Sequence, residues 1–383
     1  MTPVKVAFIA ESFLPSINGV TNSVLRMLEY LDSESIEAMV IASDDDRPSP
    51  DRYCSAQIVR MPSFTLPWYS DLRFSLATTY RMRAVLHSFQ PDIVHVASPV
   101  LLGRIGIKAA RQLHLPIVAL YQTNLPLYLP KYGHPKLTDI GWKYLRFLHN
   151  KASMTLAPST ATRNTLIEHG FKRVGLWGRG VDTTRFHPSR RDESLYESWR
   201  KDKRCVVGYM GRLSGEKQVE DLRILSSFED IQLVIVGDGP LRNELATVLP
   251  HAIFTGMKTG DDLARHLASF DIFVHPGEME TFGQAIQEAL ASGLPVIAPA
   301  IGGPLDLIVP GENGYLYPVK DLHSLAQKVR TLADDSDQRN RFSQTARAMV
   351  EDRTWPRLCA ELVDIYREVI ATQERTAGHD FTS

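Results

Sequence analysis

Two acids eight positions apart, Glu280 and Glu288, frame the segment richest in chemistry, His275-Pro276-Gly277-Glu278-Met279-Glu280-Thr281-Phe282-Gly283-Gln284-Ala285-Ile286-Gln287-Glu288. An apolar strand run ends at His275, and a helical run begins near Gly283 and is stopped by Gly293 and Pro295. The amides of Phe282, Gly283 and Gln284 then stand at a helix N-terminus, where unpaired N–H groups and the helix dipole favour an anion. Glu280 precedes that start, and Glu288 lies about five residues inside it, ~7.5 Å further along the axis. A nucleotide diphosphate sugar carries hydroxyls at both ends, on sugar and ribose. Two carboxylates flanking a phosphate site can accept hydrogen bonds from both sets. The plainer alternative is one loop acid and one solvated helix acid.

A second segment, Gly211-Arg212-Leu213-Ser214-Gly215-Glu216-Lys217, follows the apolar run Val206–Met210. Arg212 offers a forked donor and Lys217 a mobile point charge, a pair suited to two phosphates. The spacing is not that of a Walker A loop, and a basic surface turn is the alternative. Asn18-Gly19-Val20 opens the first predicted helix. It offers half of a phosphate-binding glycine turn, or simply a helix start capped by Asn18. Val236-Gly237-Asp238-Gly239-Pro240 and Phe254-Thr255-Gly256-Met257 end two further strands. Their backbone can read a base edge, and their glycines are equally explained as turn residues.

These loops need strands and helices to hold them. Apolar runs at 4–10, 38–42, 58–61, 93–96 and 116–120 alternate with helical periodicity over 20–31, 76–89, 103–113 and about 137–151. After a charge-rich stretch at 192–204, which reads as a break, strands recur at 205–210, 231–236, 252–254, 271–275 and 295–298. Strands alternating with helices predict an α/β fold of two doubly wound parallel-sheet domains, with ligands at the carboxyl ends of the strands. The expected boundaries are 1–182 for an acceptor-side Rossmann-like domain and 183–354 for a nucleotide-sugar domain. Residues 355–383 are expected to form a terminal helix packing back toward the first domain, predicted over 355–371 with Leu358, Leu362, Ile365, Tyr366 and Val369 on one face, and then a tail.

A chain of 383 residues with 44% apolar and 23% charged residues has the composition of a soluble globular protein of more than one core. Cys54, Cys205 and Cys359 lie too far apart in sequence for a disulfide framework or a local metal motif, which suggests a reducing compartment. A formal charge of −1 argues against nucleic acid as a partner, and no apolar run reaches the length of a membrane span. The charge is uneven. Residues 1–180 hold 20 basic and 13 acidic side chains, whereas residues 181–383 hold 23 and 31. The surplus bases gather at Arg52, Arg60, Arg73, Arg81, Arg83, Arg104, Lys108 and Arg111, and again at Lys131, Lys136, Lys143, Arg146 and Lys151. Trp142, Tyr144, Leu145, Phe147 and Leu148 are interleaved with the second group. Such a surface suits an anionic membrane face, with part of the apolar set turned to the core; solvated bases are the alternative.

Taken together, the Glu-x7-Glu element (Glu280, Glu288), the Gly211-Arg212…Glu216-Lys217 loop, the Val-Gly-Asp-Gly-Pro turn and the Gly19 loop resemble the retaining glycosyltransferases of family 4, with the two-domain GT-B fold. Four further stretches, Phe13–Thr21, Tyr121–Asn124, Leu156–Ser159 and Gly178–Pro188, narrow the resemblance to actinobacterial GDP-mannose-dependent α-mannosyltransferases of cell-envelope glycolipid synthesis. The resemblance implies that Arg212 and Lys217 hold the diphosphate and that Glu280 binds sugar hydroxyls. It places the amides of Phe282, Gly283 and Gln284 near phosphate and sugar, Glu288 on the ribose diol, Gly19 on the diphosphate and Met257 near the base. Arg212, Lys217 and Glu280 are the expected catalytic residues. Where many members carry a histidine, this chain has Gln122, which can hydrogen-bond a sugar or acceptor hydroxyl but cannot shuttle a proton. His95 and His134 are nearby histidines in sequence and read as core or surface residues.

The implied reaction moves a mannosyl group from GDP-mannose to a membrane glycolipid or phosphatidylinositol-type acceptor at the inner face of the cytoplasmic membrane, without a metal cofactor. Asp44-Asp45-Asp46 lies in a polar stretch and reads as a solvated loop. A carboxylate-bound glycosyl intermediate and a same-face displacement both satisfy retention. Transfer from another nucleotide sugar such as a UDP-sugar, a nucleotide-sugar epimerase of the same fold, and a silent binding protein are the competing readings.

Overall fold

The computed structural model describes residues 4–45, 47–66, 69–124, 126 and 135–379, with the side chains of residues 65–74, 135 and 376–379 outside the description. Asp46, Lys131 and His134 therefore lie outside the described residues. The chain forms two compact units, Met1–Gly178 with Trp355–Ser383, and Arg179–Thr354.

The first unit is built on an eight-stranded sheet. Its strands are β1 (Val6–Ala10), β2 (Ala38–Ser43), β3 (Arg52–Tyr53), β4 (Ala56–Met61), β7 (Ile93–Val96), β8 (Ile117–Leu120), β9 (Met154–Ala157) and β10 (Val174–Leu176). A separate antiparallel pair joins β5 (Ser63–Leu66) to β6 (Tyr69–Ser75). The main sheet runs β10-β9-β8-β7-β1-β2-β4-β3 and is parallel except for the edge strand β3. Strands β1 and β2 are buried along their whole length, so they read as unbroken apolar runs rather than alternating ones. Helices α1 (Gly19–Ser33), α2 (Thr79–Phe89), α3 (Leu102–Gln112), α4 (Thr138–His149) and α5 (Thr160–Glu168) belong to this unit.

The second unit opens with α6 (Glu193–Arg200) and carries a six-stranded parallel sheet. Its strands are β11 (Cys205–Met210), β12 (Ile231–Val236), β13 (Ile253–Gly256), β14 (Ile272–Val274), β15 (Val296–Pro299) and β16 (Gly314–Tyr317). The order β13-β12-β11-β14-β15-β16 is the doubly wound order, and it reverses direction between β11 and β14. Apolar clusters cover both faces: Phe270, Phe273, Phe282 and Ile286 lie in one, and Tyr209, Ile235, Ile297 and Leu325 in the other. Helices α7 (Arg242–Val248), α8 (Gly260–Ala268), α9 (Gln284–Ala291), α10 (Pro304–Leu307), α11 (Leu322–Asp334) and α12 (Ser336–Val350) complete it.

Three boundaries differ from the periodicity. Helix α2 starts at Thr79 rather than 76, because Thr78 caps it by accepting the Arg81 amide at 3.2 Å, and Leu76 is left exposed. The charge-rich stretch 192–204 contains α6, begun by Asp192 accepting the Leu195 amide at 3.0 Å and buried through Tyr196 and Trp199. The terminal helix α13 (Trp355–His379) runs past residue 371. It buries Leu362, Tyr366 and Val369 in the first unit's core, Ile365 is partly buried against it, and Leu358 is buried as well. Trp177 donates to the Leu358 carbonyl at 2.7 Å, which fixes this helix to the end of β10.

Candidate active site

The switch point of the second sheet brings the two sequence segments together. The Gly211–Lys217 loop leaves β11, and the 275–283 loop leaves its neighbour β14. Lys217 Nζ engages Glu280 Oε1, and His275 Nε2 lies 3.1 Å from the same oxygen. Burial pushes the Glu280 carboxyl up, yet Lys217 and His275 together hold it well below the usual carboxylate range. Glu280 is thus an anion engaged by Lys217, with the His275 ring close beside the same oxygen. His275 is buried, and its ring stacks on Tyr209 at 6.2 Å between centroids, while Tyr209 donates to the Arg212 carbonyl at 3.1 Å. Burial beside Glu280 also keeps the Tyr209 phenol protonated.

The backbone of this loop is held from three sides. Glu278 N–H donates to Gln218 Oε1 at 3.0 Å, which ties it to the Lys217 turn. The Glu280 carbonyl accepts from Gly303 N–H at 2.9 Å. A Cβ on Gly303 would sit 2.1 Å from the Phe282 carbonyl oxygen, so no side chain fits there. The Gly302-Gly303 turn after β15 is a support that the sequence reading overlooked, although an adjacent glycine pair after an apolar run was a legible signal. On the other side, Gly237 has φ of +145°, and its Cβ would meet the Gly211 carbonyl oxygen at 1.9 Å. With the Leu213 amide donating to the Asp238 carbonyl at 2.9 Å, the Val-Gly-Asp-Gly-Pro turn packs directly on the Arg212 loop.

Gly283, at φ +94°, turns the chain into α9 and leaves the first-turn amides at the end of that helix. The Phe282 side chain is buried in the core, so only its backbone faces the site. Gln284 Nε2 reaches the Glu288 carboxylate at 3.3 Å and the Gly180 carbonyl at 3.2 Å. Glu288 is half-buried one helical turn beyond Gln284, on the same face. Arg212 is exposed. Met257, 73% exposed, stands just past β13.

Within the first unit, Asn18 caps α1 by accepting the Val20 and Thr21 amides at 3.0 Å each, and Gly19 is the exposed first residue of that helix. Gln122, past the end of β8, donates to the Ala97 carbonyl at 3.3 Å. His95 is a core residue, 2.5 Å from the Tyr366 hydroxyl, and burial pushes it down to about 3. One acid here had no place in the sequence reading. Glu11, at the carboxyl end of β1, accepts the Gly103 amide at the start of α3 at 3.0 Å. Burial pushes it up to about 7, against the pull of the neighbouring backbone amides.

Residues 17–185 match Glycosyltransferase Family 4, and residues 191–349 match Glycosyl transferases group 1. A GDP-mannose-dependent alpha-mannosyltransferase of Mycobacterium tuberculosis (strain CDC 1551 / Oshkosh) is 47% identical, the match covering 96% of this chain and 98% of that one. A GDP-mannose-dependent alpha-(1-6)-phosphatidylinositol dimannoside mannosyltransferase of Mycobacterium tuberculosis (strain ATCC 25177 / H37Ra) is 27% identical, the match covering 80% of this chain and 81% of that one. Among solved structures, Anabaena HepE in complex with UDP and glucose superposes with a TM-score of 0.77 at 18% identity, over 94% of this chain and 99% of that one, which supports the GT-B fold class. With both matched regions in sequence and nearly the full length aligned to a relative at this identity, the chain belongs to the family 4 glycosyltransferases.

Proposed function

We propose that this protein transfers an α-mannosyl group from GDP-mannose, with retention, to a lipid-linked acceptor. The observation that carries the reading is Glu280 paired with Lys217 at the switch point, just before the first turn of α9, the helix that carries Glu288. Breaking a sugar–phosphate bond builds negative charge on the leaving diphosphate, and fixed donors aimed there supply the largest catalytic effect. Arg212, Lys217 and the amides of Phe282, Gly283 and Gln284 are assigned that role. A lysine ammonium has three N–H donors, so Lys217 can hold Glu280 and a phosphate oxygen together. Glu280 accepts from sugar hydroxyls and Glu288 from the ribose diol. Met257 is assigned to the base, Gly19 to the diphosphate and Gln122 to a sugar or acceptor hydroxyl. In the step itself the bond from C1 to the phosphate oxygen breaks as the acceptor oxygen bonds C1 on the same face, and the acceptor proton passes to the leaving phosphate. The catalytic residues named here act without a metal ion.

The nucleotide follows the 47% identical relative, and a phosphatidylinositol-type acceptor follows the more distant one. A peripheral site of action at the inner membrane face is supported by the surface of the first unit. Arg104, Lys108 and Arg111 on α3 lie close enough to Lys151 that burial and their three charges lower its pKa. Phe147, beside Lys151, is 52% exposed and Ile140, near the start of α4, is 60% exposed, while Trp142, Leu145 and Leu148 are buried. Arg60 does not contribute to this surface, because it is spent on the Leu14 carbonyl at 2.8 Å. No helix among the described residues is long and apolar enough to cross a membrane. Binding of GDP-mannose, UDP-glucose and an ADP-sugar, compared by calorimetry, tests the donor. Selective binding of GDP-mannose is expected, and selective binding of a UDP-sugar would overturn the assignment.

A further inference from the structure

The loop that opens the second unit is fastened to α9 by two glutamine side chains. Gln287 Nε2 donates to the Arg179 carbonyl at 2.8 Å, and Gln284 Nε2 to the Gly180 carbonyl at 3.2 Å. Gln287 is completely buried, and the Oε1 atoms of both glutamines are buried without a hydrogen-bond partner. Unsatisfied buried acceptors are costly, so packing alone would favour an apolar residue at these positions. The amides are retained where they hold this one stretch of backbone, and Gln284 also reaches Glu288 at 3.3 Å.

The residue whose backbone is held in this way carries a cation. Arg179 is partly buried, and Glu280 and Glu288 are the acids whose charge acts on its guanidinium. Burial lowers it to about 10 against their pull, so it stays charged at neutral pH. A buried cation is tolerated where carboxylates compensate it, and here the two carboxylates are the pair assigned to sugar and ribose.

We propose that Arg179 is a positioning residue of the donor site, a cation held against α9 and shared by Glu280 and Glu288 that offsets their charge beside the diphosphate and fixes how they present themselves to sugar and ribose. The inference rests on the donor reading above and adds a residue to it. Two acids beside an anionic diphosphate repel it, and both are easier to protonate without a neighbouring cation. The other groups facing Glu280 are Lys217, His275 and Tyr209. Arg179 interacts with Glu288 as well as with Glu280.

The test uses the full chain with Arg179→Met, Arg179→Lys and Glu288→Gln, alone and combined, each checked for folding by thermal unfolding. Calorimetry with GDP-mannose and the pH profile of kcat/KM are the readouts. Arg179→Met is expected to weaken GDP-mannose binding at least tenfold and to move the acid limb of kcat/KM to higher pH, and Arg179→Lys to recover most of both. In the Glu288→Gln background the tenfold loss should shrink to threefold or less, because half of the shared pair is already gone. A folded Arg179→Met that binds GDP-mannose as the wild type does, with an unmoved acid limb, overturns the inference. So does a loss of the same size with and without Glu288. If Arg179→Met does not fold, Arg179→Gln takes its place in the two backgrounds and decides the same way. A wild-type chain that binds no GDP-mannose overturns the donor reading and this inference with it. Unchanged Arg179 variants of a chain that does bind it overturn this inference alone.

Discussion

His275 Nε2 lies 3.1 Å from Glu280 Oε1, the oxygen that Lys217 also engages. Through this carboxylate Lys217, on the loop that leaves β11, ties that loop to the 275–283 loop that leaves the neighbouring β14. The Gln218 contact to the Glu278 amide at 3.0 Å adds a second tie between the same loops. The loop carrying Arg212 and the loop carrying Glu280 are thus tied at two points, the preorganisation that the proposed leaving-group role calls for.

Lys217→Ala should lower turnover by ~10²–10³, the usual cost of losing one preorganised donor to a developing negative charge. The same change should alter stability with a definite sign. In the folded protein Glu280 is held below its ordinary carboxylate range, so its contribution is present above the unfolded value near 4 and is lost as pH falls through the lower folded one. Without Lys217, burial pushes this carboxyl up. Thermal unfolding across pH should then show lower stability at pH 7, with the gap to the wild type closing as pH falls, because protonation relieves the unpaired buried carboxyl. Unchanged curves would contradict the pairing.

Arg212→Ala should also remove most turnover, because an exposed arginine on this loop has leaving-group charge as its assigned task. Steady-state kinetics at saturating GDP-mannose read it. Activity should persist in a chelator, and complete loss with recovery on Mg²⁺ or Mn²⁺ would contradict metal-independent catalysis.

Glu288→Ala should raise the donor KM more than it lowers kcat. A ribose contact is made equally in ground and transition states, so its loss weakens binding uniformly. A fall in kcat at saturating donor with an unchanged KM would remove Glu288 from the ribose.

Glu11→Gln should stabilise the fold at alkaline pH. Burial pushes the folded Glu11 up to about 7 from an ordinary value of 4.5, so the folded state holds a proton that the unfolded state has lost. Stability therefore falls as pH rises between these values. Glutamine keeps an acceptor for the Gly103 amide and cannot ionise. The melting temperature of the variant should exceed that of the wild type at pH 8, with the difference closing by pH 4. Equal curves across the range would contradict the burial argument.

Sedimentation with vesicles tests the basic surface of the first unit. Binding should require anionic lipid and fade with salt, since screened charges at a surface lose their attraction. Replacing Phe147 by Ser should weaken it further, because that ring is exposed beside Lys151, whose ammonium lies 3.9 Å from its centroid. Equal failure to bind anionic and neutral vesicles at low salt would contradict a membrane role.

The strands that carry the site were legible because parallel sheets buried on both faces leave unbroken apolar runs, as at 205–210 and 231–236. Glu280, Lys217 and the start of α9 were legible for a local reason: strand, glycine turn and helix follow one another within a few residues. Other features depend on contacts distant in sequence. Arg179 stood in a quoted stretch without a role, because its meaning comes from acids about a hundred positions away. His275 read as the end of a strand, and nothing local says that its ring reaches Glu280. The short strands β9 and β10 went unnoticed because three or four residues carry little periodicity. Helix α6 was hidden by its charges, since only Tyr196 and Trp199 are buried on it.

The central claim is transfer of an α-mannosyl group from GDP-mannose to lipid, and it is tested most directly by incubating the wild-type chain with GDP-mannose labelled in the sugar and a membrane lipid extract. The account predicts label in the lipid fraction, released by an α-mannosidase, and none transferred by Lys217→Ala over the same time. Label recovered only as a changed free nucleotide sugar, or as unreacted GDP-mannose beside a binding-competent protein, would contradict it.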